Sequence, residues 1–322
     1  MAKKNNKAYI GIDLGGTNIQ AGIIDAEGRL IVRDDMKTKA EGGADAVIGR
    51  VRKLVEKLVL ESELKRSAIG GLGIGAPGAI DHKTGVVVNA PNLRWTRFPL
   101  AQTLERELKF PIVVDNDVNV GAWGEYKAGA GRGHDDMMGI FIGTGIGGGL
   151  VLNGELYHGH YMSAGEIGHT VIDAGGALGR RTLENLASRT NIANLLRQLI
   201  QSNHPSVISE LSEGDLSHIR SKVLAGAIRR KDPLTMRVIE QAAEYVGVAI
   251  ANAVTLLSLS CVVVGGGVTE ALGRSWVQLV RRSFEQNVFP AQLSRCRVVA
   301  SRLGDDAGVI GAALLAGVKL SG

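Results

Sequence analysis

Lys7 to Thr17 reads K-A-Y-I-G-I-D-L-G-G-T, an apolar strand that runs straight into Asp13-Leu14-Gly15-Gly16-Thr17. A strand ending in an acid and paired glycines delivers a polar turn to the edge of a sheet. Glycine has no Cβ, so the backbone N–H groups of Gly15 and Gly16 can approach a bulky anion closely. Asp13 suits a hydrated Mg²⁺, and Thr17 adds a hydroxyl for phosphate oxygens. The theme recurs at Met138–Gly149 (M-G-I-F-I-G-T-G-I-G-G-G) and at Cys261–Gly267 (C-V-V-V-G-G-G). One such turn is weak evidence. Three on one chain, each at the exit of an apolar strand, point to a nucleotide clamp.

At 322 residues the chain has room for two domains, taking roughly 100–200 residues for each. Gly accounts for 44 of them, about twice its usual share of roughly 7%. The excess sits at strand ends and reads as turns and binding loops. Aromatics are 4%, too few for the stacking platforms that hold single-stranded nucleic acid. The net charge of +5 is carried by runs such as Arg50-Val-Arg-Lys53 and Arg229-Arg-Lys231. Acids alternate with them, as on solvated helix faces, so no nucleic-acid partner is expected. Cys261 and Cys296 lie in apolar strand-like runs, and Met1–Lys7 is short, polar and basic, unlike a signal peptide. Buried, reduced thiols in a cytoplasmic protein follow. No apolar run approaches the roughly 18 residues that span a bilayer, so no membrane partner is expected.

Along the chain, Tyr9–Asp13, Gln20–Asp25 and Arg29–Asp34 read as a three-stranded meander. Asp45–Leu60 carries Val47, Ile48, Val51, Leu54, Val55, Leu58 and Val59 at helical spacing. Ile69–Gly75 and Ile112–Asp115 read as strands, with a helix at Leu100–Leu108 between them. Val118–Ala130 opens the second half as a helix, and Ile140–Gly149, Leu150–Asn153 and Glu155–Tyr157 then repeat the opening pattern of strand, glycine turn and strand. That internal similarity is what a duplicated fold leaves behind. Helices are expected at Leu183–Ser202, Ser217–Arg230, Pro233–Leu259, Thr269–Gln286 and Asp305–Ala316, the last with Asp305 or Asp306 as N-cap. No Pro-rich or Ser-rich linker separates the halves, which should pack directly with a cleft between them. Gly143-Thr-Gly145-Ile-Gly-Gly148 also fits the dinucleotide fingerprint G-x-G-x-x-G. That motif needs a helix at its third glycine, and here Leu-Val-Leu-Asn-Gly follows, which is β-type sequence with a hairpin turn.

Asp115, Asn116 and Asp117 end a strand and start a helix, which puts a carboxylate into the cleft. Phosphoryl transfer to a sugar hydroxyl needs a base in line with the γ-phosphate, and Asp117 is the candidate. The alternative is that Asp115 or Asp117 merely caps the helix. Ser163-Ala-Gly165-Glu166-Ile-Gly-His169 sets an acid and an imidazole three residues apart, suited to vicinal sugar hydroxyls. Glu184 opens a helix, either as favourable terminal charge or as a third sugar ligand. Gly73-Ile-Gly75-Ala-Pro77-Gly78 suits a rigid wall for a sugar ring.

Asp-Leu-Gly-Gly-Thr-Asn at 13–18, Gly-Ala-Pro-Gly at 75–78, Asn-Asp-Val-Asn at 116–119, the glycine run at 143–149 and Gly-Glu-Ile-Gly-His at 165–169 resemble the ROK family of sugar kinases and repressors. Leu-Glu-Asn-Leu-Ala-Ser at 183–188, Gly-Gly-Gly at 265–267 and the stretch 305–313 match it too, in the right order over nearly the whole chain. The resemblance implies the actin-like, hexokinase-like ATPase fold, an α/β architecture of duplicated, ribonuclease H-like domains around a cleft. It implies a small domain of residues 1–117, completed by the C-terminal helix at about 305–322, and a larger one of 118–304. By it, Asp117 is the catalytic base, and Gly75, Asn92, Asn116, Glu166, His169 and Glu184 contact the sugar. Gly15, Gly16, Thr17, Asn18, Gly143, Thr144 and Gly145 surround the ATP phosphates, with Asp13 holding Mg²⁺ and Gly265, Gly266 and Gly267 near the adenosine.

The family's zinc loop, Cys-x-Cys-Gly-x-x-Gly-Cys-x-Glu, is replaced here by Thr170–Glu184, which contains no Cys and has Thr182 where the last would stand. Zinc commonly takes four ligands, so no structural zinc is expected. The resemblance implies an ATP- and Mg²⁺-dependent hexose kinase, a glucokinase above all and a homodimer, with N-acetylmannosamine, N-acetylglucosamine and fructose as other acceptors and polyphosphate as another donor. A sugar-sensing repressor would need a DNA-binding helix-turn-helix ahead of Tyr9, where about eight residues leave no room for one. The other alternative is a non-catalytic sugar-sensing ROK protein, against which Asp117 and both phosphate loops speak.

Overall fold

Each half of the chain builds a sheet around one glycine-turned hairpin. The computed structural model describes residues 7–25 and 27–321, so most of the Met1–Lys7 segment lies outside the described residues. In the first half, β1 (Ala8–Leu14), β2 (Asn18–Ile24) and β3 (Leu30–Lys37) form the expected meander. Helix α1 (Gly43–Glu61) leads into β4 (Ile69–Ala76), and a small sheet of β5 (Ala79–Asp81), β6 (Val86–Ala90) and β7 (Trp95–Phe98) follows. Helix α2 (Leu100–Leu108) then feeds β8 (Ile112–Asn116) and α3 (Asp117–Lys127). The second half runs through β9 (Met137–Ile142), β10 (Ile146–Leu152) and β11 (Glu155–Tyr157). Helices α4 (Leu183–Ala187), α5 (Arg189–Gln201), α6 (Ile208–Leu211), α7 (Ser221–Arg229) and α8 (Pro233–Leu257) precede β12 (Cys261–Gly265). Helix α9 (Gly267–Asn287), kinked at Gly273, β13 (Arg297–Ala300) and α10 (Ala307–Lys319) complete the chain.

The two large sheets have the same design. The first is ordered β3-β2-β1-β4-β8 and the second β11-β10-β9-β12-β13. In both, the first three strands pair antiparallel and the last two join parallel. Parallel strands require crossover connections, and helices supply them on both sides. The architecture is the actin-like ATPase fold that the sequence implied, and the duplication is visible strand for strand. Each sheet has its own apolar core: one gathers residues between Ala8 and Val114, and the other residues between Met138 and Val298. Among the described residues no helix is long and apolar enough to cross a membrane.

Between the sheets lie α3 and α10, which pack on each other, α10 also against β1 and β4 and α3 against β9 and β10. The contacts are backbone against backbone. A Cβ on Gly311 of α10 would overlap the Val120 carbonyl oxygen of α3, and one on Gly124 of α3 would lie 2.6 Å from the Ala307 carbonyl oxygen. Gly11 of β1 and Gly73 of β4 meet the Val309 and Ala312 carbonyl oxygens of α10 in the same way. Buried Glu125 ties the layer together. Its carboxylate accepts hydrogen bonds from the Ser301 hydroxyl at 2.6 Å and from the N–H groups of Ala130 (2.7 Å), Leu303 (2.9 Å) and Arg302 (3.0 Å). A buried charge is tolerated only with such satisfaction, and here it fixes the segment before α10 to the end of α3.

Several boundaries differ from expectation. The helix expected over Leu183–Ser202 is two helices, because the Ser188 hydroxyl accepts from the Asn191 N–H and caps a new start. The second strand of the repeated hairpin begins at Ile146, inside the glycine run, and not at Leu150 after it. The helix over Ser217–Arg230 begins regularly only at Ser221. Asp306 takes the N-cap position of α10, yet its side chain caps nothing and pairs with Arg33 at 2.8 Å instead. The small β5–β7 sheet and α6 carried no strong periodic signal, and β13 was expected only as a strand-like run at Cys296.

Bare backbone contact makes a sharp prediction. Gly311→Ala should destabilise the protein by about 3 kcal/mol or more, the upper range for overpacking, because a carbonyl cannot move aside as a side chain can. Gly49→Ala, on α1 with nothing near the new methyl, should stabilise by about 0.8 kcal/mol. Equilibrium urea unfolding of the two variants checks both signs.

Candidate active site

Three helices begin at one cavity. The N-termini of α3 (Asp117, Val118), α9 (Gly266, Gly267, Glu270) and α10 (Asp305, Ala307, Gly308) face the end of β1 at Asp13 around a cavity of about 220 Å³. Each N-terminus carries the positive end of a helix dipole, worth roughly half a charge. Converging, they form a site for an anion as large as a polyphosphate. Gly266 reaches this position with φ 84°, where a Cβ would fall 2.7 Å from the Ile142 backbone.

The carboxylates of the cavity are perturbed. Burial, then Asp117 and Asp305, push the Asp13 carboxyl up to about 7. Burial is also the main cause at Asp117, whose carboxyl rises to about 6; Glu166 adds to the rise and the Val118 N–H opposes it. Burial and Asp305 raise Glu270 as well. Sequence reading offered Asp305 only as a cap and passed over Glu270, whose sole signal was an acid in the first turn after a glycine run.

The turn from β8 into α3 gives its three polar residues different surroundings. Asn116 is the cap: its Oδ1 accepts from the N–H groups of Val118 (2.9 Å) and Asn119 (3.1 Å), and its Nδ2 donates to the Gly78 carbonyl at 3.1 Å. Asp115 faces inward, 3% exposed, and takes N–H donors from Asn116 and Asn119. Asp117 accepts from the Val118 N–H at 2.9 Å and lines the cavity. Gly75 lies beneath it, since a Cβ there would fall 3.2 Å from the Asp117 Cα.

The glycine turns are braced from behind. The Thr38 hydroxyl donates to the Gly15 carbonyl at 2.6 Å, and the Gly15 N–H donates to the Asn18 carbonyl at 2.9 Å. Asn18 accepts from Lys37 Nζ on β3. Asn92 lies against Gly16, where a Cβ would be 3.0 Å from its own. In the second hairpin the Gly143 N–H closes on the Gly145 carbonyl. Arg189 donates to the Thr144 hydroxyl at 2.6 Å, and the Thr190 hydroxyl donates to the Thr144 carbonyl at 2.7 Å. The third glycine, Gly148, lies inside strand β10 and opens no helix, so the turn is not a dinucleotide fingerprint. Thr38, Arg189 and Thr190 escaped sequence reading because they act from other elements. Glu184, in the first turn of α4, accepts from the Ile146 N–H at 2.8 Å and so holds the same hairpin. Glu166 and His169 face one another at 3.9 Å with side chains 59% and 68% exposed, open to a ligand.

A model of the ROK family matches residues 9–319 of the chain. The chain belongs to the ROK family. A glucokinase of Halalkalibacterium halodurans is 35% identical over 95% of this chain and 94% of its own length. Among solved structures, a ROK family glucokinase from Streptomyces griseus in complex with glucose and AMPPNP superposes with a TM-score of 0.83 at 32% identity, covering 96% of this chain and 98% of that one. A ROK hexokinase from Thermus thermophilus gives 0.80 at 29% identity, covering 97% and 99%.

Where the ROK zinc loop is expected, this chain closes the segment with its own hydrogen bonds. Val171 bridges Thr182, the Ile172 and Asp173 N–H groups donate to the Arg181 carbonyl, and the Leu183 N–H donates to the Thr170 carbonyl. Arg181 Nε donates to the Gly176 carbonyl at 2.7 Å, and Arg180 reaches Gln198. Thr182, at the position of the missing cysteine, caps α4 by accepting from the Asn185 N–H. These bonds tie both ends of the loop to one another and to α4. Purified protein should therefore carry no stoichiometric zinc, and EDTA should leave its melting temperature unchanged; one zinc per chain by elemental analysis would sink this account of the loop.

Proposed function

We propose that the chain is an ATP-dependent hexose kinase that phosphorylates the 6-hydroxyl of glucose. The convergence of three helix N-termini on a cavity bearing Asp13 and Asp117 carries this reading, because it pairs an oxyanion site with a carboxylate positioned as a base. Glycines 15, 16, 143, 145, 265, 266 and 267 with Thr17 and Thr144 would bound the nucleotide, and Asn18 its edge. Gly75, Asn92, Asn116, Glu166, His169 and Glu184 would bound the sugar. The boundary between a small and a large domain would fall at Asp117, with α10 counted in the small one. The 35%-identical glucokinase and the glucose- and AMPPNP-bound relative support the substrate pair.

Asp117 takes the proton from the sugar 6-hydroxyl as that oxygen attacks the γ-phosphorus, and the bond from the γ-phosphorus to the bridging oxygen of the departing ADP breaks. With its carboxyl near 6, Asp117 is mostly ionised at neutral pH while still a better base than an ordinary aspartate. Asn116, fixed by Gly78 and the start of α3, keeps the adjoining backbone rigid. The raised Asp13, crowded by Asp117 and Asp305, fits a divalent cation. Mg²⁺ there would neutralise phosphate charge, as expected for an ion held by one or two carboxylates plus phosphates. Water competes with the sugar as acceptor, so approach of the two halves should accompany turnover. A homodimer in the cytoplasm is the expected setting.

A coupled assay across glucose, fructose, N-acetylglucosamine and N-acetylmannosamine, with ATP and polyphosphate as donors, tests the proposal. Glucose with ATP should give the highest kcat/KM, and absence of turnover with every pair would refute it. Asp117→Asn should lower kcat by about 10²–10⁴, the usual worth of a positioned base. Because the base must be ionised, kcat/KM should fall about tenfold per pH unit below about 6 and level off above it. The Asp117→Asn variant should lose that acid limb.

A further inference from the structure

Behind the proposed base sits a polar cluster that the nucleotide cavity does not use. His158 follows β11, and its Nε2–H donates to Asp115 Oδ2 at 2.7 Å, with side chains only 12% and 4% exposed. The other oxygen of Asp115 accepts from the Asn116 N–H at 2.8 Å and from Asn119 Nδ2 at 3.0 Å. His82, between β5 and β6, stacks on His158 with ring centroids 3.6 Å apart and planes 15° from parallel. Burial and the neighbouring His158 hold the His82 imidazole below its ordinary range, which favours the neutral ring. Its buried Nδ1 has no hydrogen-bond partner among the described residues, so packing rather than polar bonding keeps it there.

The placement of these groups gives the cluster its meaning. Asp115 is the residue before the Asn116–Asp117 corner in the first half of the chain. His158 belongs to the second half and opens the loop to Glu166 and His169; its carbonyl accepts from the Ala164 N–H at 3.1 Å within that loop. One carboxylate thus joins the corner that carries the base to the loop that carries the exposed acid–imidazole pair. We propose that His158, acting through Asp115, is a positioning residue that keeps the Asn116–Asp117 corner in register with the Glu166–His169 loop, and that His82 holds the His158 ring in place. The inference rests on the sugar-kinase reading above and adds to it a second layer behind the sugar side of the site. Among the described residues the cluster's side-chain hydrogen bonds and ring contact run to Asn116, Asn119 and one another, not to the glycine turns at 15–17 and 143–145 or the start of α9, so the nucleotide side should be insensitive to it.

Steady-state kinetics on the full chain, with glucose and ATP varied separately, tests this. His158→Ala should lower kcat/KM for glucose about 10- to 100-fold, since misplacement by about 1 Å can cost 10²-fold, and leave KM for ATP within about twofold. His158→Gln, whose amide can still donate to Asp115, should recover most of the loss. Asp115→Asn should act on glucose in the same direction, and its combination with His158→Ala should cost no more than the worse single change, because both break one bond. His82→Phe, which keeps a stacked ring, should stay near wild type. If His158→Ala fails to fold, the Gln and Phe variants and Asp115→Asn decide the matter by the same split. Equal losses for glucose and ATP, unchanged kinetics in a folded His158→Ala variant, or a folded Gln variant as poor as Ala would overturn the positioning role. Wild-type protein that phosphorylates no hexose would overturn the kinase reading as well, whereas active wild type with unaffected variants overturns only this inference.

Discussion

The structure depends on the contact between α3 and α10, two helices held backbone to backbone between two sheets. Glycines at 124 and 311 let the helices approach to a distance that side chains forbid, while Gly11 and Gly73 let α10 settle on the first sheet. From that contact the rest follows. The helices start at the same cavity, so fixing their crossing fixes where Asp117 and Asp305 stand relative to Asp13. Glu125 adds the fastening, with donors from the segments on either side of the layer. A shift of α10 along α3 would move the cavity wall and leave that buried carboxylate unsatisfied.

The same convergence has a thermodynamic cost. Asp13 and Asp117 have folded-state carboxyls near 7 and 6, above the ordinary value of 3.8. Below the ordinary range both are protonated folded or unfolded and cost nothing. As pH rises toward 7 the unfolded chain ionises first, so these groups progressively withdraw stability from the folded state. Strain of this kind is expected where a protein prepares a site for opposite charge, and a cation between nucleotide and carboxylates would relieve it. The helix N-termini act in the other direction, favouring the anion that the cation accompanies.

Much of this was legible in the sequence because hairpins and glycine turns are local. The Asp13–Thr17 turn, its echo at Gly143–Gly145 and the duplicated meander are written in contiguous residues, and the structure reproduces them as β1–β2 and β9–β10. Asp117 was legible as an acid at a strand exit, but which residue caps α3 was not. That needed the geometry, in which Asn116 supplies the cap. Glu270, Thr38, Arg189 and His158 were illegible for a common reason: each acts on a residue distant in sequence, across packing that no periodicity records. The segment at 170–184 was legible only as a departure. Its missing cysteines stood out, whereas the hydrogen bonds within the loop became visible only with the chain folded.

The central claim is that the two hairpin turns and the three helix starts form one phosphate site facing one sugar site, with Asp117 between them. A crystal structure of the protein with AMPPNP, Mg²⁺ and glucose tests it most directly. The account predicts the triphosphate between the turns at 15–17 and 143–145, over Asp13 and the N-termini of α3, α9 and α10. It also predicts the glucose 6-hydroxyl within hydrogen-bond distance of the Asp117 carboxylate. A triphosphate bound elsewhere, or a sugar whose 6-hydroxyl lies out of reach of Asp117, would contradict it.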